Sequence, residues 1–190
     1  MASKSADKSP GIVFLQIAVQ KTASEVGGFA KGCTRKRKLA VAVLYCSAQD
    51  DYRVYTASQV EKLLDIMKSA KFVVGYNCLG FDYEVLRGHS SFPCPPTLDL
   101  LQNIEKTLGF RVPMYNVASS TFGVHLQSNG NNQTALWKDG RLDVIIVQCK
   151  QDVDWLCRIY KHGMEHKSIY VTDQNGRLLT VPIEWETVQP

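Results

Sequence analysis

No run of this chain is apolar for long enough to cross a membrane. No secretory leader is expected, because Met1 to Pro10 carries Lys4 and Lys8 but no apolar h-region follows them. That stretch reads as a short disordered tail, and a cytoplasmic location is expected. The six cysteines (Cys33, Cys46, Cys78, Cys94, Cys149 and Cys157) form no Cys-x-x-Cys pair. No histidine stands at finger-like distance from any two of them, so a zinc site is not expected. Reduced thiols, mostly acting as small buried hydrophobes, fit better. Internal repeats are absent. A strong charge imbalance is lacking too: 22 Lys and Arg against 18 Asp and Glu leave a net charge of +4, which permits an anionic partner without demanding one.

What is present reads as an ordinary globular chain. Its 190 residues are 45% hydrophobic and 21% charged, enough for one domain, expected over 11–190 behind a tail at 1–10. Ile12–Val19 and Leu39–Cys46 are near-continuous apolar runs, the pattern of strands buried on both faces. Arg53–Thr56 follows across a polar turn. Ser58 is placed to cap a helix to about Ser69 with Val60, Leu63, Leu64 and Met67 on one face. Phe72–Tyr76 reads as the next strand and Phe81–Arg87 as a short helix. Pro93, Pro95 and Pro96 mark an extended loop before a helix near Asp99–Leu108, closed by Gly109. Tyr115–Phe122 is a further helix. Ser128–Gln133 is polar enough to read as a loop. Arg141–His162 is a long helix with Val144, Ile145, Val147, Val153, Leu156 and Ile159 inward. Ile169–Thr172 and Leu178–Ile183 form a hairpin around Asn175-Gly176.

Two phrases carry chemistry. Asn77-Cys78-Leu79-Gly80-Phe81-Asp82-Tyr83 ends a strand and opens a helix. Gln148-Cys149-Lys150-Gln151-Asp152-Val153 sits inside the long helix. With Glu25-Val26-Gly27-Gly28, Pro96-Thr97-Leu98-Asp99, Ala135-Leu136-Trp137, Gly140-Arg141-Leu142-Asp143 and Val181-Pro182-Ile183-Glu184-Trp185, their order resembles the ribonuclease-H-like superfamily. Within it, the chain resembles Asp-Glu-Asp-Asp 3′–5′ exonucleases, in particular a predicted bacterial branch found alone or beside helicases. The resemblance runs from Ile12 to Trp185. It implies a mixed five-stranded sheet flanked by helices, with a C-terminal β-hairpin.

The resemblance also implies a two-metal site that this chain only half supplies. Two Mg²⁺ ions roughly 3.5–4 Å apart activate water and stabilise the leaving oxygen. Four carboxylates offset their charge. Asp82 and Asp152 match two of them, but the first-strand Asp-x-Glu is replaced by Gln16 and Ala18. At ~4 Å and an effective dielectric of about 20, one carboxylate attracts one divalent ion by roughly 8 kcal/mol before desolvation. The tyrosine that orients the attacking water in the family is Gln148 here. Near Tyr115 and Asn116, where an Asp is frequent, there is none.

Each residue also has a structural reading. Asp82 and Asp99 are placed to cap helices, and Asp152 sits where exposed helical Asp is common. Arg35-Lys36-Arg37-Lys38 is the one dense basic run, either a solvated hairpin tip or a phosphate contact beside the cleft, and Asn77 is a further candidate nucleic-acid-binding residue. His89, His125, His162 and His166 are scattered and read as structural or surface residues. Three functions follow. One is a catalytically degenerate exonuclease-like domain that binds single-stranded nucleic acid and needs no cofactor. Another is an active exonuclease using Mg²⁺ at a site rebuilt from Asp82, Asp152, Gln16 and a nearby acid. The third is a protein-interaction module with a protein partner. None involves a membrane.

Overall fold

The computed structural model describes residues 9–126 and 130–187. The expected tail lies outside them as far as residue 8. Pro10 is already buried, and its carbonyl accepts the Ala48 N–H at 3.1 Å.

Strand β1 (Ile12–Val19) is the centre. Its period of two sends Val13, Leu15, Ile17 and Val19 into one core cluster, and Phe14 and Ala18 into another. It runs antiparallel to β2 (Leu39–Cys46) and parallel to β4 (Phe72–Gly75). β3 (Asp51–Thr56) and β5 (Thr97–Asp99) complete the order β3-β2-β1-β4-β5. This mixed five-stranded sheet is flanked by helices and followed by the antiparallel hairpin β6 (Ser168–Thr172) and β7 (Leu178–Pro182), the ribonuclease-H-like arrangement that was expected.

The connection from β1 to β2 is not a tight turn. It holds two short helices, α1 (Ala23–Val26) and α2 (Lys31–Arg35). Backbone bonds from Gln20 N to Lys38 O and from Lys21 N to Arg37 O zip its ends together. On one face of the sheet, α3 (Val60–Ser69) buries Val60, Leu63, Leu64 and Met67, the stripe expected from their spacing. Ser58 does not cap it. Thr56 instead caps a 3₁₀ turn, with the Gln59 side chain reaching back to the Thr56 N–H, and α3 begins after that turn. α4 (Tyr83–Arg87) follows a π-helical turn at Cys78–Asp82.

On the other face lies α8 (Leu142–His166), longer than expected by one turn at its end. Ile145, Cys149, Val153, Leu156 and Ile159 point into the core. Val147 does not; it is 56% exposed, because two residues past Ile145 is about 200° around a helix. α5 (Leu100–Leu108) is capped by Asp99 and ended by Gly109 in the left-handed region at φ 76°. α6 (Met114–Phe122) supplies Asn116, which donates to and accepts from the Thr172 backbone and so clamps the edge of β6.

α7 (Gly130–Lys138) overturns the loop expected at Ser128–Gln133, of which Ser128 and Asn129 lie outside the described residues. Composition argued for a loop, but Gln133 and Thr134 are buried and the Gln133 amide reaches Cys149 Sγ at 3.9 Å. Tertiary contact with α8 outweighs the weak local propensity.

The C-terminal segment returns to α8 through Trp185, whose Nε1 donates to Tyr160 O at 3.1 Å. Gly163 makes room for it, since a Cβ there would lie 2.5 Å from the indole. A helical Gly→Ala change ordinarily stabilises by about 1 kcal/mol. Here Gly163→Ala is expected to destabilise. Urea unfolding checks the sign, with a lowered midpoint and a red-shifted tryptophan emission expected.

Candidate functional site

Gln16 and Ala18 follow Phe14 on the β1 face that looks toward α8. Ala18 is 1% exposed and packs in one cluster with Ile145, Cys149 and Val153. Gln16 is half-buried, its amide nitrogen 3.5 Å from the Ile17 carbonyl. β1 and β2 slip register between Ala18 and Val19, a bulge of the kind that re-aims side chains near sites.

Asp82 ends the π-helical turn and is buried. It does not cap α4: its backbone is already helical and its side chain makes no cap bond. Its Oδ2 has no hydrogen-bond partner at all. Burial first, and the Asp99 charge second, push its pKa well above the ordinary carboxylate value. Asp152 sits on α8 over a small hollow of about 70 Å³ walled by Met114, Tyr115, Leu126 and Trp155. Burial raises its pKa to about 6. Cys149, one turn earlier on α8, lies near both acids: after burial, the Asp152 and Asp82 charges each push its thiol up. Gln148 holds a second buried oxygen without a partner, Oε1.

The two buried acids beside Asp82 are already committed. Asp99 caps α5 as expected, accepting from Leu101 N and Gln102 N. It also accepts from Asn77 N at 2.8 Å and Leu79 N at 3.0 Å, so one carboxylate gathers four backbone donors. Glu84 accepts from Arg35 Nε at 2.9 Å and Arg87 Nη1 at 2.7 Å. Its burial would raise its pKa, but the hydrogen bonds from Arg35 and Arg87 hold it below the ordinary value.

The basic run is solvated but anchored: Arg35, Lys36 and Lys38 are exposed, yet three of its four side chains hold partners in the fold. Arg35 ties α2 to Glu84 on α4. Arg37 donates to Lys21 O at 2.9 Å and lies 5.0 Å from the Phe81 ring centroid. Lys38, at φ 60°, donates to Gly88 O at 3.2 Å. Lys36 remains exposed. Asn77 adopts the left-handed region at φ 64°, which Asn tolerates, and its Oδ1 accepts from Arg111 Nη2 at 2.7 Å. His89 is structural: its Nε2 accepts the Leu39 N–H, and burial first, then the Lys38 charge, lowers its pKa. The six cysteines are all free, four of them buried.

The donor set does not fit a pair of Mg²⁺ ions. Among the described residues, no group of three or more His, Cys, Asp or Glu is placed to hold a metal. The larger surface hollow, of about 630 Å³, lies between α5 and the C-terminal segment and touches none of these residues. Sequence reasoning missed Arg111, and it missed that Arg35 and Arg37 are structural. Their partners lie far along the chain, so no local signal reveals them. Compared with protein-family models the chain matches none, and compared with curated proteins it finds no match. The functional reading therefore rests on fold and donor geometry.

A raised carboxyl pKa has a defined sign. Between the unfolded value near about 4 and the folded value of about 6, the native state binds more protons than the unfolded chain. Stability therefore falls as pH rises through that window and stays lower above it. Asp152→Asn removes this cost, on the order of 3 kcal/mol at full effect. The stability difference between variant and wild type should be near zero at pH 4, grow toward pH 6 and then level off. Urea denaturation across that range reads it directly.

Proposed function

We propose that this nuclease-like α/β domain binds single-stranded nucleic acid and does not hydrolyse it. The observation that carries the reading is the β1 face toward α8. Where exonuclease-type domains of this fold place two carboxylates, this chain has the neutral Gln16 and the core residue Ala18. Asp82 and Asp152 remain, at most two carboxylates against a charge of about +4; burial raises the pKa of Asp82 well above the ordinary value and that of Asp152 to about 6, so Asp152 keeps most of its charge at neutral pH. A donor set of that kind opposes little of the charge of two divalent ions. With Gln148 in place of a tyrosine, nothing at that position matches the group expected to orient an attacking water. The cationic β1–β2 connection supports the binding half of the reading. A cytoplasmic setting and a non-enzymatic role belong to the same proposal.

Incubation of the pure protein with labelled single-stranded DNA or RNA and Mg²⁺ or Mn²⁺ is expected to give no shortened product. Affinity for the same strands should weaken steeply as salt is raised. Metal-dependent degradation abolished by Asp152→Asn would overturn the reading. Gln16→Asp combined with Ala18→Glu tests it from the other side. Glutamate at a position 1% exposed should destabilise the fold in chelator. Turnover should stay absent after Mg²⁺ is restored.

A further inference from the structure

The connection between β1 and β2, residues 20–38, holds six cationic side chains against one carboxylate, Glu25. Its formal charge of +5 exceeds the +4 of the whole chain, so the rest sums to −1. The basicity of this protein is thus a property of one excursion from the sheet.

Its cations divide into two sets. Arg35, Arg37 and Lys38 are engaged with Glu84, the Phe81 ring and the Gly88 carbonyl. Lys21, Lys31 and Lys36 are exposed and make no ion pair among the described residues. Lys21 lies beside Arg37 through the backbone zipper, and Lys31 and Lys36 stand at the two ends of α2. Glu25 is occupied by Lys138 at 2.8 Å, so it does not neutralise them.

Within this unpaired set stands Phe29. It is 85% exposed, more than any other large hydrophobic residue described. Gly27 and Gly28, at φ 88° and 119°, bring the chain to it through a conformation that other residues rarely adopt. Its carbonyl is tied to Thr34 Oγ1 at 3.4 Å, which anchors the loop to α2 while leaving the ring in solvent. A lone exposed apolar side chain is ordinary. An exposed aromatic ring flanked in sequence by unpaired lysines, on a strongly cationic connection, has the makeup of a base-stacking platform with phosphate contacts.

We propose that Phe29 stacks on an unpaired base of single-stranded nucleic acid, with Lys31 and Lys36 contacting the flanking phosphates. This deepens the binding reading above and rests on it. It also moves the phosphate contacts away from Arg35, Arg37 and Lys38, whose replacement would loosen the fold as well as any ligand.

The test is fluorescence anisotropy of the full-length chain with a labelled oligothymidylate of about fifteen nucleotides, a duplex of equal length and polyglutamate as competitor. Phe29→Ala is expected to weaken single-strand binding roughly five- to a hundredfold, with the salt slope unchanged. Phe29→Trp should retain affinity. Lys31→Ala with Lys36→Ala should reduce the log–log salt slope by about 1.4. Circular dichroism should be unchanged in each, because all three side chains are exposed. Wild-type binding that is indifferent to Phe29→Ala, or that favours the duplex, overturns the stacking site and leaves the binding reading standing. Competition by polyglutamate as effective as by oligonucleotide assigns the surface to an acidic protein and overturns it too. Absence of any wild-type binding at low salt overturns both.

Discussion

The constraint on which the rest of the structure depends is the dryness of β1. From Val13 to Val19 every residue except Gln16 is buried. One face is closed by α3 and the turn leading into α4, the other by α8. A carboxylate on such a strand is tolerable only beside a compensating cation, because an unpaired buried charge is costly. Gln16 and Ala18 remove that need. The apolar packing of Ala18 against Cys149 and Val153 and the absence of a full carboxylate set are two sides of one solution.

The acids that remain illustrate the same rule. Asp99 is surrounded by four backbone donors and Glu84 by two guanidinium groups, so both hold their charge within the protein. By doing so, Asp99 joins the end of β4, the π-helical turn and the start of α5, and thereby fixes where Asp82 sits. Asp82 has no such partner on Oδ2, and Asp99 sets a like charge near it. The buried polar atoms left without partners include Asp82 Oδ2 and Gln148 Oε1.

Charge and fold are separated in this molecule. The sheet and its helices are close to neutral overall, while residues 20–38 carry the excess of positive charge. Part of that excess is used to hold α2 against α4, through Arg35 and Glu84 and through the close approach of Gly88 to the Arg35 carbonyl, where no Cβ would fit. The remainder faces water beside Phe29. A connection of this kind changes a surface without changing the core.

The sequence by itself determined the parts governed by local periodicity. The apolar runs of β1 and β2, the stripe of α3, the Asp99 cap and Gly109 stop of α5, and the long helix bearing Asp152 were all legible, because each depends on side chains within a few residues of one another. It also determined that β1 carries Gln16 and Ala18 and no carboxylate. Only the tertiary structure decided the rest. It made a helix of Gly130–Lys138, since Gln133 is buried on Cys149, sixteen residues away in sequence. It turned Val147 to solvent through helix phase. It replaced the Ser58 cap with a Thr56–Gln59 exchange, and drew Arg35 to Glu84 across 49 positions. Asp82 reads in sequence either as a helix cap or as a remnant metal-site acid, and in the fold it is a buried acid that caps nothing. A carboxyl's role depends on which donors and charges surround it in space, and those are brought together only by the packing of distant segments.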